Sequence, residues 1–211
     1  CMNNHLGPCA LSWALLMFSF VVLPVQTQEH ALKAGQLAVI QPVELRGVPH
    51  AFKLGERIFS GGTPEGDQGF ASLQALGVKT IISVDGARPD VEAARRHGLR
   101  YVHLPHGYDG ISTNVQAQLA KAATSLPGSI YVHCHHGRHR GPAAAAIVCM
   151  MSEDWSAVEA ERWLRLAGTD TNYHGLFEVV RTFQKPSVAA MRLMKVDLPV
   201  KANVPGMVES M

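Results

Sequence analysis

The sequence predicts an α/β fold of three layers, with a central, mostly parallel sheet flanked by helices. Three observations predict it. Short β-branched runs, of which Val78 to Val84 is the clearest, alternate with stretches whose apolar residues recur at helical spacing. Gly or Pro punctuates the junctions between them. Strands separated by helices pair in parallel, and a parallel sheet needs cover on both faces.

With 211 residues, 47% of them hydrophobic and 17% charged, the chain has enough apolar material for one well-buried domain plus extensions. A formal charge of +2 gives no general attraction to nucleic acid or to an anionic membrane. Of the four cysteines, Cys1 and Cys9 precede a hydrophobic leader, and the two that remain, Cys134 and Cys149, make no disulfide framework.

Ala10 to Val25 is an apolar run as long as a signal-peptide core and short for a comfortable membrane span. Export, periplasmic or secreted, is the first expectation for residues 1–28. An uncleaved membrane anchor or a start further downstream are the others, because no Lys or Arg precedes Lys33 and no clean small-x-small site follows. Residues 29–53 show no period and read as a linker, 54–185 as the α/β domain and 186–211 as a tail with a short helical candidate from Val188 to Lys195.

Within the domain, Arg57 to Ser60 reads as a strand closed by Gly61-Gly62-Thr63-Pro64, and Asp67 to Leu76 as a helix ending at Gly77. Val78 to Val84 is a buried strand, Asp85-Gly86 a turn, Pro89 to His97 a short helix and Leu99 to Leu104 the next strand. Val115 to Ser125 is helical, Leu126-Pro127-Gly128 breaks it, and Ser129 to His133 is a strand. Pro142 to Met151 is an apolar helix, with Pro142 in the first turn where its missing N–H costs nothing. Ser156 and Glu159 form a capping box ahead of the helix Ala157 to Ala167, and Tyr173 to Phe183 is the last helix of the domain.

Between the strand at Ser129 and the helix at Pro142 the chain reads Val-His-Cys-His-His-Gly-Arg-His-Arg-Gly-Pro, from Val132 to Pro142. Backbone N–H groups of a strand-to-helix loop can form a concave nest, and the following helix points its positive end at the same place. A cysteine at the start of such a loop, Cys134, lies in a field that favours thiolate over thiol. Arg140 can grip two oxygens of a phosphoryl group, and Gly137 relieves crowding where the loop turns. Zinc fits the spacing poorly, because a cation beside Arg140 would be repelled, so no metal and no cofactor are expected.

The string His133-Cys134-x-x-Gly137-x-x-Arg140 resembles the phosphate-binding signature of the cysteine-dependent protein tyrosine and dual-specificity phosphatases. The resemblance covers about Leu54 to Gln184. It implies a phosphatase-like phosphate loop and hydrolysis of a phosphate monoester through a phosphocysteine. The implied partner is a phosphorylated substrate: a protein, an inositol phosphate or a phosphoinositide. No nucleic acid is implied, and a membrane only if the leader is an uncleaved anchor. Cys134 and Arg140 are the catalytic candidates, with His133, His135, His136, Gly137, Arg138, His139 and Gly141 as the phosphate-binding set. Ser or Thr commonly follows the arginine in that family, a hydroxyl that eases departure of the thiolate. Gly141 stands there instead, so slower turnover is one expectation.

Cleavage of a phosphate monoester by a thiolate also needs a proton donor for the departing oxygen. Asp109, in the loop Pro105 to Gly110 that follows the strand Leu99 to Leu104, is the candidate. Loops after parallel strands open on one edge of the sheet, and the resemblance places its acid at this point in the chain order. A plain Asx turn is the structural alternative. Asp85 and Asp90 are competitors, with Asp85 better suited to capping a turn. The alternatives at this stage are a rhodanese-like sulfurtransferase, whose loop is usually one residue shorter, and a non-catalytic phosphate-binding module, for which Gly141 is the motivating feature.

Overall fold

A computed structural model of the chain describes residues 39–193 and 197–202. These all fall in a compact unit that begins at Leu37. The leader expected over residues 1–28 lies outside them. Among the described residues no helix is long and apolar enough to cross a membrane.

Among the described residues seven strands form one sheet: β1 (Gln41–Pro42), β2 (Phe52–Lys53), β3 (Ile58–Gly61), β4 (Val78–Ser83), β5 (Arg100–His103), β6 (Ser129–His133) and β7 (Val200–Ala202). Their order across the sheet is β1-β2-β3-β6-β4-β5-β7. The central neighbours β3, β6, β4 and β5 are parallel, as predicted, and the edges add antiparallel pairs. Residues 39–53, expected as linker, thus contribute β1 and β2, and the expected tail contributes β7. Strands of two or three residues carry no readable period, and only the neighbouring backbone makes them strands.

Side chains alternate across the sheet with period two. Ile58, Ile82, Val102, Ile130 and Val132 join a core with α3 (Thr113–Ser125), α4 (Arg140–Ser152), α5 (Ala157–Leu166) and α6 (His174–Thr182). Phe59, Ile81, Tyr101 and Tyr131 point the other way, to Phe70 and Leu73 of α1 (Gly66–Ala75) and to Ala93 and Ala94 of α2 (Val91–Arg96). The last helix, α7 (Val188–Leu193), precedes β7.

Local signals explain the helix ends. Asp90 and Ser112 accept hydrogen bonds from Ala93 N and Val115 N, and the capping box of Ser156 and Glu159 forms in both directions. Helix α4 begins at Arg140, two residues before the expected start, with Pro142 still inside the first turn. Two long-range anchors then fix the layers. The Arg57 guanidinium donates to the carbonyls of Leu126, Gly128 and Ala123, collecting the free C=O groups at the end of α3. Fully buried Trp163 donates from its indole to Pro142 O at 3.1 Å, pinning α5 to the start of α4.

Candidate active site

Register places the site. Gly61 and Ser83 stand opposite His133, and His103 stands opposite Ser83, so the loops after β3, β4, β5 and β6 all leave the same edge of the sheet. Cys134 is the first residue beyond β6 and is 4% exposed.

The loop from Cys134 to His139 is held by its carbonyls. Thr63 N donates to His135 O at 3.1 Å, and Thr63 Oγ1 reaches Cys134 O at 3.5 Å. Thr169 Oγ1 donates to Arg138 O at 2.7 Å, and Ala143 N donates to His139 O. The amides behave oppositely: among the described residues, none of the N–H groups of residues 135–139 donates to a protein acceptor. Successive unspent amides at the mouth of a helix form an anion nest, to which α4 adds the free donors of its first turn. Gly137 makes this geometry possible. Its φ is +72°, and a Cβ there would fall on the Gly61 carbonyl carbon and 2.5 Å from Gly62 N. The glycine pair at the end of β3, Gly61 and Gly62, thus packs backbone to backbone against the loop.

Arg140 opens α4, and its Nε is buried with no acceptor among the described residues. A guanidinium N–H so placed is free to donate to an anion in the loop. Its flat face lies 4.6 Å from the centre of the Tyr108 ring. Tyr108 in turn packs on Tyr173 at 4.5 Å, and His139 packs on Tyr173 at 4.9 Å. The loop carrying Asp109 is therefore seated on the Cys134 loop. Asp109 itself is exposed, and its Oδ1 lies over the bare Cα of Gly107. On the same loop His106 shares its Nδ1 with Gly107 O at 2.9 Å. Burial holds His106 below the usual histidine range, and the Arg140 charge adds to this.

His133 lies behind the loop, fully enclosed. Its ring stacks on Tyr131, and its Nε2 meets the Tyr101 hydroxyl at 2.9 Å. Burial pushes the imidazole down to about 4 and the Tyr101 phenol up, so the pair is neutral near pH 7. The imidazole is thus a neutral, enclosed group held by Tyr101 and Tyr131 beneath the start of the loop. Unfolded, the ring would bind a proton below about 6.5; folded, it refuses one until about 4. Stability from this group is therefore complete above that window and falls as pH drops through it, by about 3 kcal/mol at most. Urea midpoints at pH 7 and pH 4.5 should move less for His133→Asn than for wild type.

Gly141 is buried against Cys134. A Cβ there would lie 2.9 Å from Cys134 N and 3.3 Å from Cys134 Sγ, so the bare Cα lets α4 pack directly on Cys134, which fills the space a side chain at this position would need. His135, His136 and Arg138 are exposed on the rim, while His139 accepts from Asp170 N at 3.3 Å. Asp85 is 4% exposed and accepts from Ala87 N, an Asx turn at the end of β4. Asp90 is the cap of α2. Cys149 is fully buried, and burial pushes its thiol up. It lies about 12 Å along α4 from Gly141 at the helical rise per residue, beyond disulfide reach of Cys134.

The sequence pointed to every residue of the Cys134 loop and to Asp109, and the structure brings the two loops together through Tyr108 and Arg140. It did not point to Thr63, Thr169, Tyr108, Tyr173 or the contact of Gly61-Gly62 with Gly137. Only the glycine pair carries a signal, as part of the Gly61-Gly62-Thr63-Pro64 segment that closes the strand begun at Arg57.

No protein-family model matches the chain, and no curated protein matches it. Solved structures do. TpbA of P. aeruginosa aligns with a TM-score of 0.56 at 22% identity, over 74% of this chain and 95% of that one. The core catalytic domain of SIW14 from S. cerevisiae, a PP-IP phosphatase solved with citrate, gives 0.57 at 14% identity, over 67% and 89%. Tk-PTP in its active form gives 0.51 at 15% identity, over 63% and 97%. The chain has the fold of the protein tyrosine phosphatase-like structures. TpbA has also been solved in complex with pTyr.

Proposed function

We propose that the protein is a cysteine-dependent phosphatase that hydrolyses a phosphate monoester in two displacements. The observation that carries this reading is the loop of unspent amides from residue 135 to 139, closed by the unpartnered Arg140 Nε–H and opened by Cys134. The amides and Arg140 hold the three non-bridging oxygens. Cys134 Sγ attacks phosphorus, the phosphorus–oxygen bond to the alcohol breaks, and Asp109 protonates the leaving oxygen. Water then attacks the phosphocysteine, Asp109 takes its proton, and the sulfur leaves as thiolate with inorganic phosphate released. Such a site acts through positioning and electrostatics rather than through a strong general base.

Phosphotyrosine and other simple monoesters are the first substrate kind, supported by the pTyr complex of the similarly folded TpbA. Inositol phosphates and phosphoinositides are the second. The exposed His135, His136 and Arg138 on the rim suit a substrate with further phosphates, and SIW14 is a PP-IP phosphatase.

The test is hydrolysis of a chromogenic aryl phosphate with and without vanadate. Vanadate-sensitive release of product is expected from wild type, and its absence would sink the reading. Asp109→Asn should lose about a hundredfold in kcat/KM on an alkyl phosphate and little on a nitrophenyl ester, whose oxygen leaves without a proton. An Asp109→Asn enzyme as active as wild type on the alkyl ester would remove Asp109 from its role.

A further inference from the structure

Glycine at the second residue of α6 costs helix stability, roughly 1 kcal/mol relative to alanine in a helix interior, and Gly175 stands there with no positive φ to demand it. Its surroundings supply the reason. A Cβ at Gly175 would fall on the carbonyl carbon and oxygen of Asp109 and 2.8 Å from Gly110 N. The atoms met are backbone, so an added methyl group cannot be accommodated by turning a side chain. One end of the acid loop thus rests on the bare first turn of α6. Beside it, Tyr108 packs on Tyr173, the residue that precedes the same helix, and lies over Arg140.

We propose that Gly175 is a positioning residue for catalysis: it is the seat that lets the acid loop close far enough for Asp109 to reach the leaving oxygen. The inference rests on the phosphatase reading and on Asp109 as the acid. Gly175 touches no substrate and acts only by where it allows the loop to sit. Its loss should therefore be felt in the step that needs the proton. A displacement of about 1 Å in a catalytic group is enough to cost about a hundredfold. The phosphate loop, which meets α4 and the β3 loop rather than Gly175, should keep its anion affinity.

Gly175→Ala tests this with two readouts. Amide hydrogen exchange across residues 105–111 should quicken by about tenfold or more, and this measurement does not depend on activity. In kcat/KM, the variant should lose about a hundredfold on an alkyl phosphate and less than about threefold on a nitrophenyl ester. Unchanged exchange, or equal losses on both esters, would overturn the proposal. Because the alanine could disturb α6 itself, Tyr173→Leu serves as a second variant. It loosens the same loop through Tyr108 without adding atoms, and although Tyr173 also packs on His139, the variant's loss on the alkyl ester should exceed its loss on the nitrophenyl ester by at least about tenfold. Asp109→Asn assayed alongside separates the two claims. If it matches wild type on the alkyl ester while Gly175→Ala still frees the loop, the acid assignment has failed, and the catalytic role of Gly175 with it.

Discussion

Cys134→Ser is expected to abolish steady turnover, by at least about ten-thousandfold, while leaving anion binding in place. The two consequences separate because different atoms are responsible. In the proposed reaction sulfur supplies the electron pair that forms the bond to phosphorus, and a serine hydroxyl in this loop has no adjacent base to activate it: His133 is enclosed and held by Tyr101. In the proposed site the anion is held by the amides of residues 135–139 and by Arg140, none of which changes. Oxygen is smaller than sulfur, so the 4%-exposed position accepts it without rearrangement. Turnover of an aryl phosphate measures the first effect. The rise in melting temperature with added inorganic phosphate or tungstate measures the second, since a ligand bound only to the folded state stabilises it in proportion to its occupancy. A serine variant with residual vanadate-sensitive turnover close to wild type would contradict the assignment of the nucleophile.

Gly137→Ala is expected to destroy both properties at once. An L residue at φ +72° carries strain of about 1–2 kcal/mol, and here the methyl group would also be driven into the Gly61 carbonyl and the Gly62 nitrogen. Together these should lower stability by about 2–5 kcal/mol, visible as a lower urea midpoint. The loop can relieve the clash only by lifting away from the β3 loop, which breaks the hydrogen bond from Thr63 N to His135 O and turns the amides out of register. Activity should fall by at least about a thousandfold, and the phosphate-dependent thermal shift should vanish. The pair of variants thus distinguishes chemistry from the cradle that holds it. Retention of the thermal shift in Gly137→Ala would show that the nest tolerates another backbone path.

What was legible in the sequence was local. Cys134, Gly137 and Arg140 lie within one loop, and the spacing between them is fixed by that loop alone. The same holds for the capping box of Ser156 and Glu159, where both partners sit within a single turn. The parallel core was legible because Val78 to Ser83 and Ser129 to His133 bury enough β-branched or aromatic surface to declare themselves. The short outer strands β1, β2 and β7 were not legible, since they are strands only by virtue of a neighbour's free backbone. Contacts between distant segments were equally silent. Nothing near Gly175 in the chain indicates that Asp109, 66 residues earlier, would rest on it, nor does Thr169 advertise its bond to Arg138. Gly141 is the intermediate case. Its departure from the usual hydroxyl was visible as a substitution, but that the helix backbone takes up the space beside Cys134 is a fact of packing.

The covalent intermediate is the claim on which the rest depends, and trapping it is the most direct measurement. Wild-type protein mixed rapidly with an aryl phosphate, quenched in acid and digested should yield a peptide spanning Val132 to Pro142 heavier by one phosphoryl group, with the modification on Cys134. The adduct should be absent from Cys134→Ser and should persist longer in Asp109→Asn, which lacks the base for the second step. Vanadate-sensitive hydrolysis with no phosphoryl group on that peptide, or with the group on one of the loop histidines, would contradict it.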